Sequence, residues 1–438
     1  MWLLKSSKVD SLFLCGLITI ATPSLCLVQT NTENFAQFEF NFNNPGARAM
    51  GIGGAFISIA DDATAAEANP AGLGYLTHPE ISFEFKGLKF RTNVTNFAHT
   101  GTQSDYTIIE RNFENSVVSP SFASFMFPIG NTTVSFFRYE LVNFESSFFT
   151  KGSFVPPLTD GSFFFPVDSE INFDVTNYGG SVGIFLHRKV SIGFSGGISL
   201  NDINSRLTRY AIEVFEEGNI NNEAIIDDTD TNFFFNTGFI LKPLKNLSIG
   251  GIYKRRPKFS LEHSFTFTNF PSDSTAIKDV NFNIPSAFGF GISYRPIDVL
   301  TFAFDVVRIN YSDLTKDMVS TIIEEHLEPA DFDVDDGTEY HFGAEYVAFF
   351  KSLGFVFRAG GFTEPDNRIR WVGDIFNSND DDRVFARQTQ AALFAEGDED
   401  FHYTFGLGVI FPYNFQVDLA GNLSNGSDEL AASIVYRF

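Results

Sequence analysis

The sequence predicts an all-β protein, a fourteen-stranded antiparallel transmembrane β-barrel with an N-terminal plug, or hatch, in its lumen. Three observations support this. Aromatic-rich segments that alternate in polarity follow one another along most of the chain. Their connections alternate between tight turns and longer polar loops. A compact segment rich in Gly and Ala, residues 44–73, precedes them. The expected division is a signal peptide at 1–26, an N-terminal extension and hatch at 27–77, and a barrel at 78–438.

The first residues have the form of a secretory signal peptide. Lysines at positions 5 and 8 precede an apolar run over 12–21, and a short cleavage region ends at Cys26. A lipoprotein site centred on Cys26 is the alternative, although Leu25 is not the small residue that such a site prefers. Because the 2 cysteines of the chain lie in this leader, cleavage after Cys26 leaves no disulfide, thiolate nucleophile or cysteine-based metal site.

The composition indicates strands rather than membrane helices. Hydrophobic residues make up 44% of the chain and aromatic residues 16%, with 55 Phe. After the leader, no stretch approaches the roughly 18 to 20 consecutive apolar residues that a membrane helix requires. In the segment 401–409, for example, aromatic and aliphatic residues alternate with small or polar ones. A strand with one apolar face fits a membrane barrel, but a soluble β-sandwich or a multidomain β protein also alternates.

The lengths of the connections favour the barrel over the sandwich. Short turns at one end and longer loops at the other, with an even number of strands, are typical of bacterial outer-membrane barrels. The last hairpin, at 424–427, is the exception because it is short on the long-loop side. The tight connections are at 128–131, 187–188, 242–245, 295–298, 350–351 and 412. The predicted strands are 80–92, 116–128, 131–145, 171–187, 189–205, 230–242, 246–267, 283–295, 298–311, 338–349, 352–363, 399–411, 413–423 and 428–438.

The chain ends in Phe438, on the apolar face of an alternating strand. This ending resembles the C-terminal signal of outer-membrane barrels, which makes the barrel assembly machinery an expected partner. The C-terminal Phe, the leader and the arrangement of short turns at one end and long loops at the other together predict a multi-pass protein of a Gram-negative-type outer membrane, surrounded by the lipid bilayer.

The net charge of −24 argues against a nucleic-acid partner. Much of the acid is expected in solvated loops, at 227–230, 331–336 and 380–382. The second run is similar to a calcium loop, but its Gly337 falls one place late and Phe342 occupies the last ligand position, so an acidic loop is favoured.

No catalytic constellation emerges from the sequence. Histidines and acids are scattered, without a metal-ligand pair at helical spacing or a nucleophile elbow, and Gly51–Gly54 lacks the preceding strand of a dinucleotide loop. We therefore expect a protein that is not an enzyme and that needs no metal or cofactor.

If the apolar faces contact lipid, the opposite faces line the lumen. Their charges, of both signs, are expected to pair and hydrate one another, with a direct part in transport as the alternative. The many Gly and Ser residues on these faces suggest a passage that is at least partly open. Polar lumenal residues predicted in the last six strands are Asp305, His341, Glu345, Arg358, His402, Gln416, Asp418 and Arg437.

The connection between predicted strands three and four is rich in phenylalanine. Exposed apolar clusters usually mark interaction sites, so this loop could make a first, weak contact with a hydrophobic ligand. The alternative is that its aromatic rings extend the wall and pack against other loops. The residues are Phe148, Phe149, Phe154, Phe163, Phe164 and Phe165.

The segment ahead of the strands resembles the N-terminal region of the FadL/TodX family of outer-membrane transporters for hydrophobic compounds. The shared pieces are Arg48-Ala49, Gly54-Ala55, Ala60-Asp61-Asp62-Ala63 and Asn69-Pro70-Ala71. Later stretches at 284–286, 291–296, 304–306, 343–346 and 358–360 resemble the family as well, so the similarity spans most of the mature chain.

The resemblance implies a fourteen-stranded barrel with the N-terminal segment inside as a hatch. It also implies capture of long-chain fatty acids or other hydrophobic molecules at outer loops, passage into the lumen, and lateral release through a wall opening. Predicted strands two and three alternate unevenly and do not locate that opening. Asn69, Pro70 and Ala71 would belong to the hatch and its contact with the wall, and Arg48, Asp61 and Asp62 would anchor it.

A closely related signature occurs in outer-membrane barrels that do not transport. The alternative function is therefore a secretion-machinery or structural partner protein. A transporter predicts a continuous apolar path from the Phe-rich loop to the hatch. A scaffold predicts a blocked lumen and an apolar loop surface that docks another protein.

Overall fold

The computed structural model describes residues 43–99, 106–150, 153–155, 162–164, 167–210, 220–267, 274–318, 332–373 and 396–438. The predicted signal peptide, Phe165, Asp331 and the acidic run at 380–382 lie outside these residues. Within the described ranges, no helix has the length and hydropathy needed to cross a membrane.

Long antiparallel strands dominate the molecule, and the helices are short. The helices are α1 (Ala47–Gly51), α2 (Ala65–Ala68) and α3 (Thr315–Met318), with 3₁₀ turns at Pro70–Tyr75 and Tyr311–Asp313. The strands are β1 (Glu80–His99), β2 (Tyr106–Ile129), β3 (Thr132–Thr150), β4 (Ser153–Val155), β5 (Ser162–Phe164), β6 (Val167–His187), β7 (Val190–Tyr210), β8 (Ile220–Leu244), β9 (Leu247–Arg255), β10 (Lys258–Phe267), β11 (Ser274–Asn283), β12 (Ala287–Ile297), β13 (Leu300–Ile309), β14 (Phe332–Asp333), β15 (Gly337–Phe350), β16 (Leu353–Glu364), β17 (Arg370–Trp371), β18 (Asp400–Phe411), β19 (Phe415–Leu423) and β20 (Ser427–Arg437).

Of the described strands, 16 are hydrogen-bonded into one sheet, and fourteen of these close into a ring. The two ends of the chain meet where β1 pairs with β20, from Glu80↔Arg437 to Phe90↔Ser427. Pairing of β8 with β9 completes the ring, and β10 and β11 extend from β8 beyond it. The predicted fourteen-stranded antiparallel barrel is therefore confirmed. Because the ring is closed, each of its strands has a paired neighbour on both sides.

The alternation of the strands gives the barrel an apolar outer surface. On β12, for example, Phe288, Phe290 and Ile292 are 42%, 59% and 44% exposed, while the intervening Gly289 and Gly291 face inward. An outward belt of aromatic and aliphatic side chains is the surface that a bilayer requires. It accounts for much of the phenylalanine in the chain.

Two of the predicted strands are broken. The span 246–267 divides into β9 and β10 at Pro257, and the span 283–295 joins the end of β11 to β12 across Pro285. Proline has no N–H donor and a fixed φ, so it interrupts a β-ladder. Because the two breaks face each other in the hairpin, β10 and β11 leave the ring together.

The acidic run 227–230, expected in a loop, is part of β8. The carboxylates of Asp228 and Asp230 accept the backbone N–H groups of Glu262 and Ser260, both at 2.8 Å. The two carboxylates thus accept hydrogen bonds from N–H groups of β10 that do not pair with the β8 backbone. This role explains why so many acidic residues are tolerated in β8.

The wall is interrupted between β2 and β3. These strands pair only from Phe122↔Tyr139 to Ile129↔Thr132, although each pairs with its other neighbour over a much longer stretch. Bulges at Leu141 and opposite Phe85 explain the uneven alternation of the predicted strands two and three. Residues 106–121 of β2 and 140–150 of β3 extend beyond these pairs, and no backbone pairing joins them to each other in the described structure. We call this unpaired stretch the β2–β3 seam.

Candidate functional site

Residues 43–77, here called the lumenal segment, contact inward faces on opposite sides of the ring. A Cβ added to Gly193 of β7 would lie 2.1 Å from the carbonyl carbon of Pro70, and one on Gly343 of β15 would lie 2.2 Å from the Ile52 carbonyl oxygen. A segment that touches strands so far apart in the ring lies inside it. The inward glycines, expected to leave open space, instead admit the backbone of this segment.

Inward serines complete this contact by hydrogen bonding. Ser181 and Ser195 both donate to the Ala66 carbonyl, at 2.8 and 2.7 Å, and Ser191 donates to the Ala71 carbonyl at 2.7 Å. The lumenal segment has few regular backbone bonds of its own. Wall hydroxyls therefore supply donors that its buried carbonyls need.

Asn69-Pro70-Ala71 lies where the segment meets the wall. The Asn69 amide donates to the Ile57 carbonyl at 2.8 Å and to the Phe239 carbonyl of β8 at 3.3 Å. Its Oδ1 accepts the N–H of Ala71 at 3.2 Å, and Pro70 begins the 3₁₀ turn that follows. One buried side chain thus joins two parts of the segment to the barrel, and its role in a hatch stays a prediction.

We expect Asn69→Ala to loosen the segment, because it removes the two hydrogen bonds that the Asn69 amide donates to the Ile57 and Phe239 carbonyls. The free energy of unfolding should fall by about 1–3 kcal/mol. Uptake of a labelled hydrophobic ligand should rise, since the segment is held less firmly. Asn69→Asp keeps the acceptor used by Ala71, removes the two donated bonds and adds a buried charge, so we expect it to loosen the segment at least as much. Unchanged uptake in both variants would remove the assigned hatch role.

Arg48 anchors the segment to the opposite side of the barrel. Its Nε lies 2.9 Å from Oε2 of Glu345 on β15, and its Nη1 contacts Asp61 and lies 3.4 Å from Asp62 Oδ2. Burial works against the charge, but Asp61, Glu345 and Asp62 together raise the pKa of Arg48 well above its ordinary value. The guanidinium therefore stays cationic and holds three carboxylates together.

The ion-pair network continues along the inward face of the wall. Arg358 Nε lies 2.8 Å from Glu345 Oε2, and its Nη1 lies 2.6 Å from Asp418 Oδ1. Gln416 donates to the other oxygen of Asp418 at 2.7 Å. Residues predicted separately as lumenal charges thus form one connected ion-pair network with Arg48.

Two further predicted residues contact the segment backbone. Asp305 Oδ2 accepts the N–H of Ile57 at 2.8 Å. His341 Nδ1 lies 2.8 Å from the Gly53 carbonyl, and its Nε2 lies 2.9 Å from Glu339 Oε2. Both side chains therefore position the segment.

His402 and Arg437 are placed differently. His402 bonds to Glu364 at 2.7 Å and to Asn422 at 3.1 Å, which are wall residues on the long-loop side of the network. Arg437 pairs at 2.8 Å with Glu80, whose other oxygen accepts a segment N–H. Among the described hydrogen bonds and ion pairs, none joins His402 to the segment or to the Arg48 network.

Sequence reasoning missed a second deeply buried ion cluster. Glu67 of the lumenal segment is 0% exposed and accepts Arg256 Nη1 at 3.0 Å, Lys254 Nζ at 3.3 Å and Asn236 Nδ2 at 2.8 Å. Arg256 lies at the break between β9 and β10. A single acid in an alanine-rich helix was the available signal, but its partners are 187 and 189 residues away.

Above the segment, on the long-loop side, the interior holds a large apolar cluster. One contiguous cluster joins Ile52 and Phe56 of the segment to the inward faces of the wall strands and to the β10–β11 hairpin. The rings of Phe173 on β6 and Phe282 on β11 meet edge-on at 5.1 Å, so the hairpin packs over the inward face of the neighbouring wall. Other members are Phe122, Phe137, Leu141, Val142, Phe144, Ile171, Ile203, Ile226, Phe234, Phe259 and Leu261.

The Phe-rich segment is only partly a loop. Phe148 and Phe149 belong to β3, which runs farther than predicted, and they face opposite ways: Phe148 is buried and Phe149 is 44% exposed. Phe154 is in β4, and Phe163 and Phe164 are in β5. A joint role in ligand capture stays a prediction.

At the short-turn end, a cavity of about 370 Å³ lies below the segment. Its lining is mostly charged or polar, with Glu345, Arg358, Gln416 and Arg437 among it. The apolar cluster thus lies on the long-loop side of the segment, and a mostly polar cavity lies on the short-turn side.

Residues 25–362 match the family model described as outer membrane protein transport protein (OMPP1/FadL/TodX). The chain belongs to this family. Members of the OMPP1/FadL/TodX family are outer-membrane transporters of hydrophobic compounds and not enzymes, so the protein is assigned to the outer membrane. In such barrels the short turns face the periplasm. No curated protein matches the chain.

Solved structures of the OMPP1/FadL/TodX type share the fold. The toluene transporter TbuX of Ralstonia pickettii superposes with a TM-score of 0.58 at 14% identity, covering 91% of this chain and 99% of that one. A Pseudomonas aeruginosa FadL homologue gives 0.59 at 12%, covering 92% and 100%. The CymD monoaromatic hydrocarbon channel gives 0.57 at 14%, covering 91% and 99%.

Proposed function

We propose that this protein carries long-chain fatty acids from the long-loop side into the outer membrane, with the lumenal segment as the hatch. The observation that supports this most is the contiguous apolar cluster between the long-loop half of the barrel and the segment. On the inward face of β3 the cluster extends to Phe144, and Ser146 separates it from Phe148. A chain of buried apolar side chains is a path along which an alkyl chain can exchange contacts without meeting water.

Lateral release is favoured over passage straight through the barrel. Below the cluster, the route toward the periplasm passes the network of Arg48, Glu345 and Arg358, and a hydrophobic molecule would have to desolvate these charges. The charged lining of the 370 Å³ cavity adds to this barrier.

The β2–β3 seam is the proposed exit. Leu141, Val142 and Phe144 are buried members of the apolar cluster on its β3 side. Across it, the Ser119 hydroxyl donates to Glu140 at 2.6 Å. Separating two strands without a ladder breaks few backbone hydrogen bonds, so an opening costs least here.

Monoaromatic hydrocarbons are the second ligand class, since TbuX and CymD are described as a toluene transporter and a monoaromatic hydrocarbon channel. The non-transporting scaffold is the other alternative. Extraction of the purified protein and mass spectrometry of the co-purifying molecules separate the three. We expect fatty acids at a defined stoichiometry. Aromatic compounds instead would change the ligand class, and a stable protein partner without hydrophobic ligand would overturn transport.

A further inference from the structure

The short turns on one side of the barrel are basic, although the net charge of the chain is −24. The turns between β6 and β7, β8 and β9, and β12 and β13 belong to strands that follow one another around the ring. The cations in these turns and at the adjoining strand ends are Arg188, Lys189, Lys242, Lys245 and Arg295, and Asp298 is the acidic residue of the three turns. A local excess of positive charge on an acidic protein marks a surface that attracts anions.

A cavity of about 80 Å³ lies between these turns and the lumenal segment. Lys242, Lys245 and Arg295 line it from the turns, and Ser58 and Tyr75 line it from the segment. It is distinct from the larger cavity under Arg48, although Asp61 and Tyr75 border both.

The three cations of this cavity lack a carboxylate partner among the described ion pairs. Lys242 Nζ lies 3.6 Å from the centre of the Tyr75 ring, and Arg295 Nε donates to Thr301 at 3.3 Å. Of the described lining residues, Asp61 alone carries a carboxylate, and it pairs with Arg48. The three cations of the lining thus outnumber its one carboxylate, which is shared with Arg48.

Ser58 supplies a second, independent observation. It is 1% exposed, and its hydroxyl has no hydrogen-bond partner in the described part of the chain. Its carbonyl accepts the Ser248 hydroxyl at 2.8 Å, which fixes the backbone at this place. A buried hydroxyl without a partner is costly, so a group in the cavity that accepts its proton would remove that cost.

We propose that this cavity binds one oxyanion, a carboxylate or a phosphate. Two ammonium groups and a guanidinium supply charge and donors, and the Ser58 hydroxyl donates a further hydrogen bond. The anion has two sources. One is the carboxylate end of a fatty acid that passes the segment instead of leaving at the β2–β3 seam, a source that rests on the proposed function and adds a second route to it. The other is free phosphate from the periplasm.

The test is calorimetric titration of the purified mature protein with inorganic phosphate and with octanoate, at two ionic strengths. We expect a single site whose affinity falls with added salt. The double variant K242M/R295M should weaken binding by about 100-fold or more, and Ser58→Ala by about 10-fold. Lys351→Met, a cation of another short turn outside the cavity lining, should bind like the wild type.

The outcomes separate the sources. Phosphate binding without octanoate binding supports the site and a periplasmic anion. Octanoate that competes with phosphate supports the site and the fatty-acid source. Binding of neither anion, or equal affinity in K242M/R295M and the wild type, overturns the site. If the double variant does not fold, Ser58→Ala decides. Transport can stand when this site fails, because co-purifying ligands test it independently.

Discussion

Glu67→Gln is expected to destabilise the protein by about 3 to 5 kcal/mol, since it leaves two cations buried without their counter-charge. Lys254 and Arg256 are only 4% exposed each, and both are held by the same oxygen of Glu67. The neutral amide retains the shape but not the charge, and only one of its two polar atoms can still accept a hydrogen bond. The measurement is the free energy of unfolding in detergent, together with limited proteolysis of residues 43–77.

Glu114→Gln is the matched control. Glu114 pairs with Lys89 at 2.8 Å, but the two side chains are 55% and 41% exposed. An exposed pair contributes little, so we expect no measurable change in stability and no new cleavage of the lumenal segment. Equal stability of the two variants would mean that the buried cations do not depend on Glu67.

Gly193→Ala is expected to displace the lumenal segment from the wall. The added Cβ would lie 2.1 Å from the Pro70 carbonyl carbon and 2.2 Å from the Ala71 nitrogen. Because both neighbours are backbone atoms between rigid contacts, no side-chain rotation relieves the clash, and overpacking costs about 1–3 kcal/mol or more. We expect a larger single-channel conductance in planar bilayers and greater sensitivity of cells to hydrophilic antibiotics.

Gly196→Ala makes the same chemical change three residues along β7. Its Cβ would meet nothing closer than the Phe234 carbonyl oxygen at 3.5 Å, an ordinary contact. Its conductance should match the wild type. A Gly193→Ala channel as closed as Gly196→Ala would show that the segment is not what blocks the barrel.

Much of the fold follows from local signals. Period-two alternation and sorted loop lengths predict the fourteen strands, because each depends on neighbouring residues only. Strand ends were less predictable: β3 continues through Phe149, and the acidic run 227–230 is in β8, where its carboxylates replace ladder acceptors. Pro257 and Pro285 were visible in the sequence, but that they face each other follows from the register of the hairpin.

The residues of the candidate site were likewise only partly predictable from the sequence. The resemblance singled out Asn69 and Arg48, which do join the segment to the wall. Glu67 and the cavity at Lys242 were missed, because their partners come from strands and turns far apart in the chain. Only closure of the ring brings such residues together, and neither composition nor residue spacing indicates which of them will be neighbours.

The most direct test of transport is uptake of a radiolabelled long-chain fatty acid by cells that lack their own outer-membrane route for it. Expression of this chain should raise the initial rate several-fold over empty cells, and a monoaromatic hydrocarbon should be taken up less well. If the barrel is folded in the outer membrane and the uptake of both ligands equals that of empty cells, the protein is not a conduit for hydrophobic molecules.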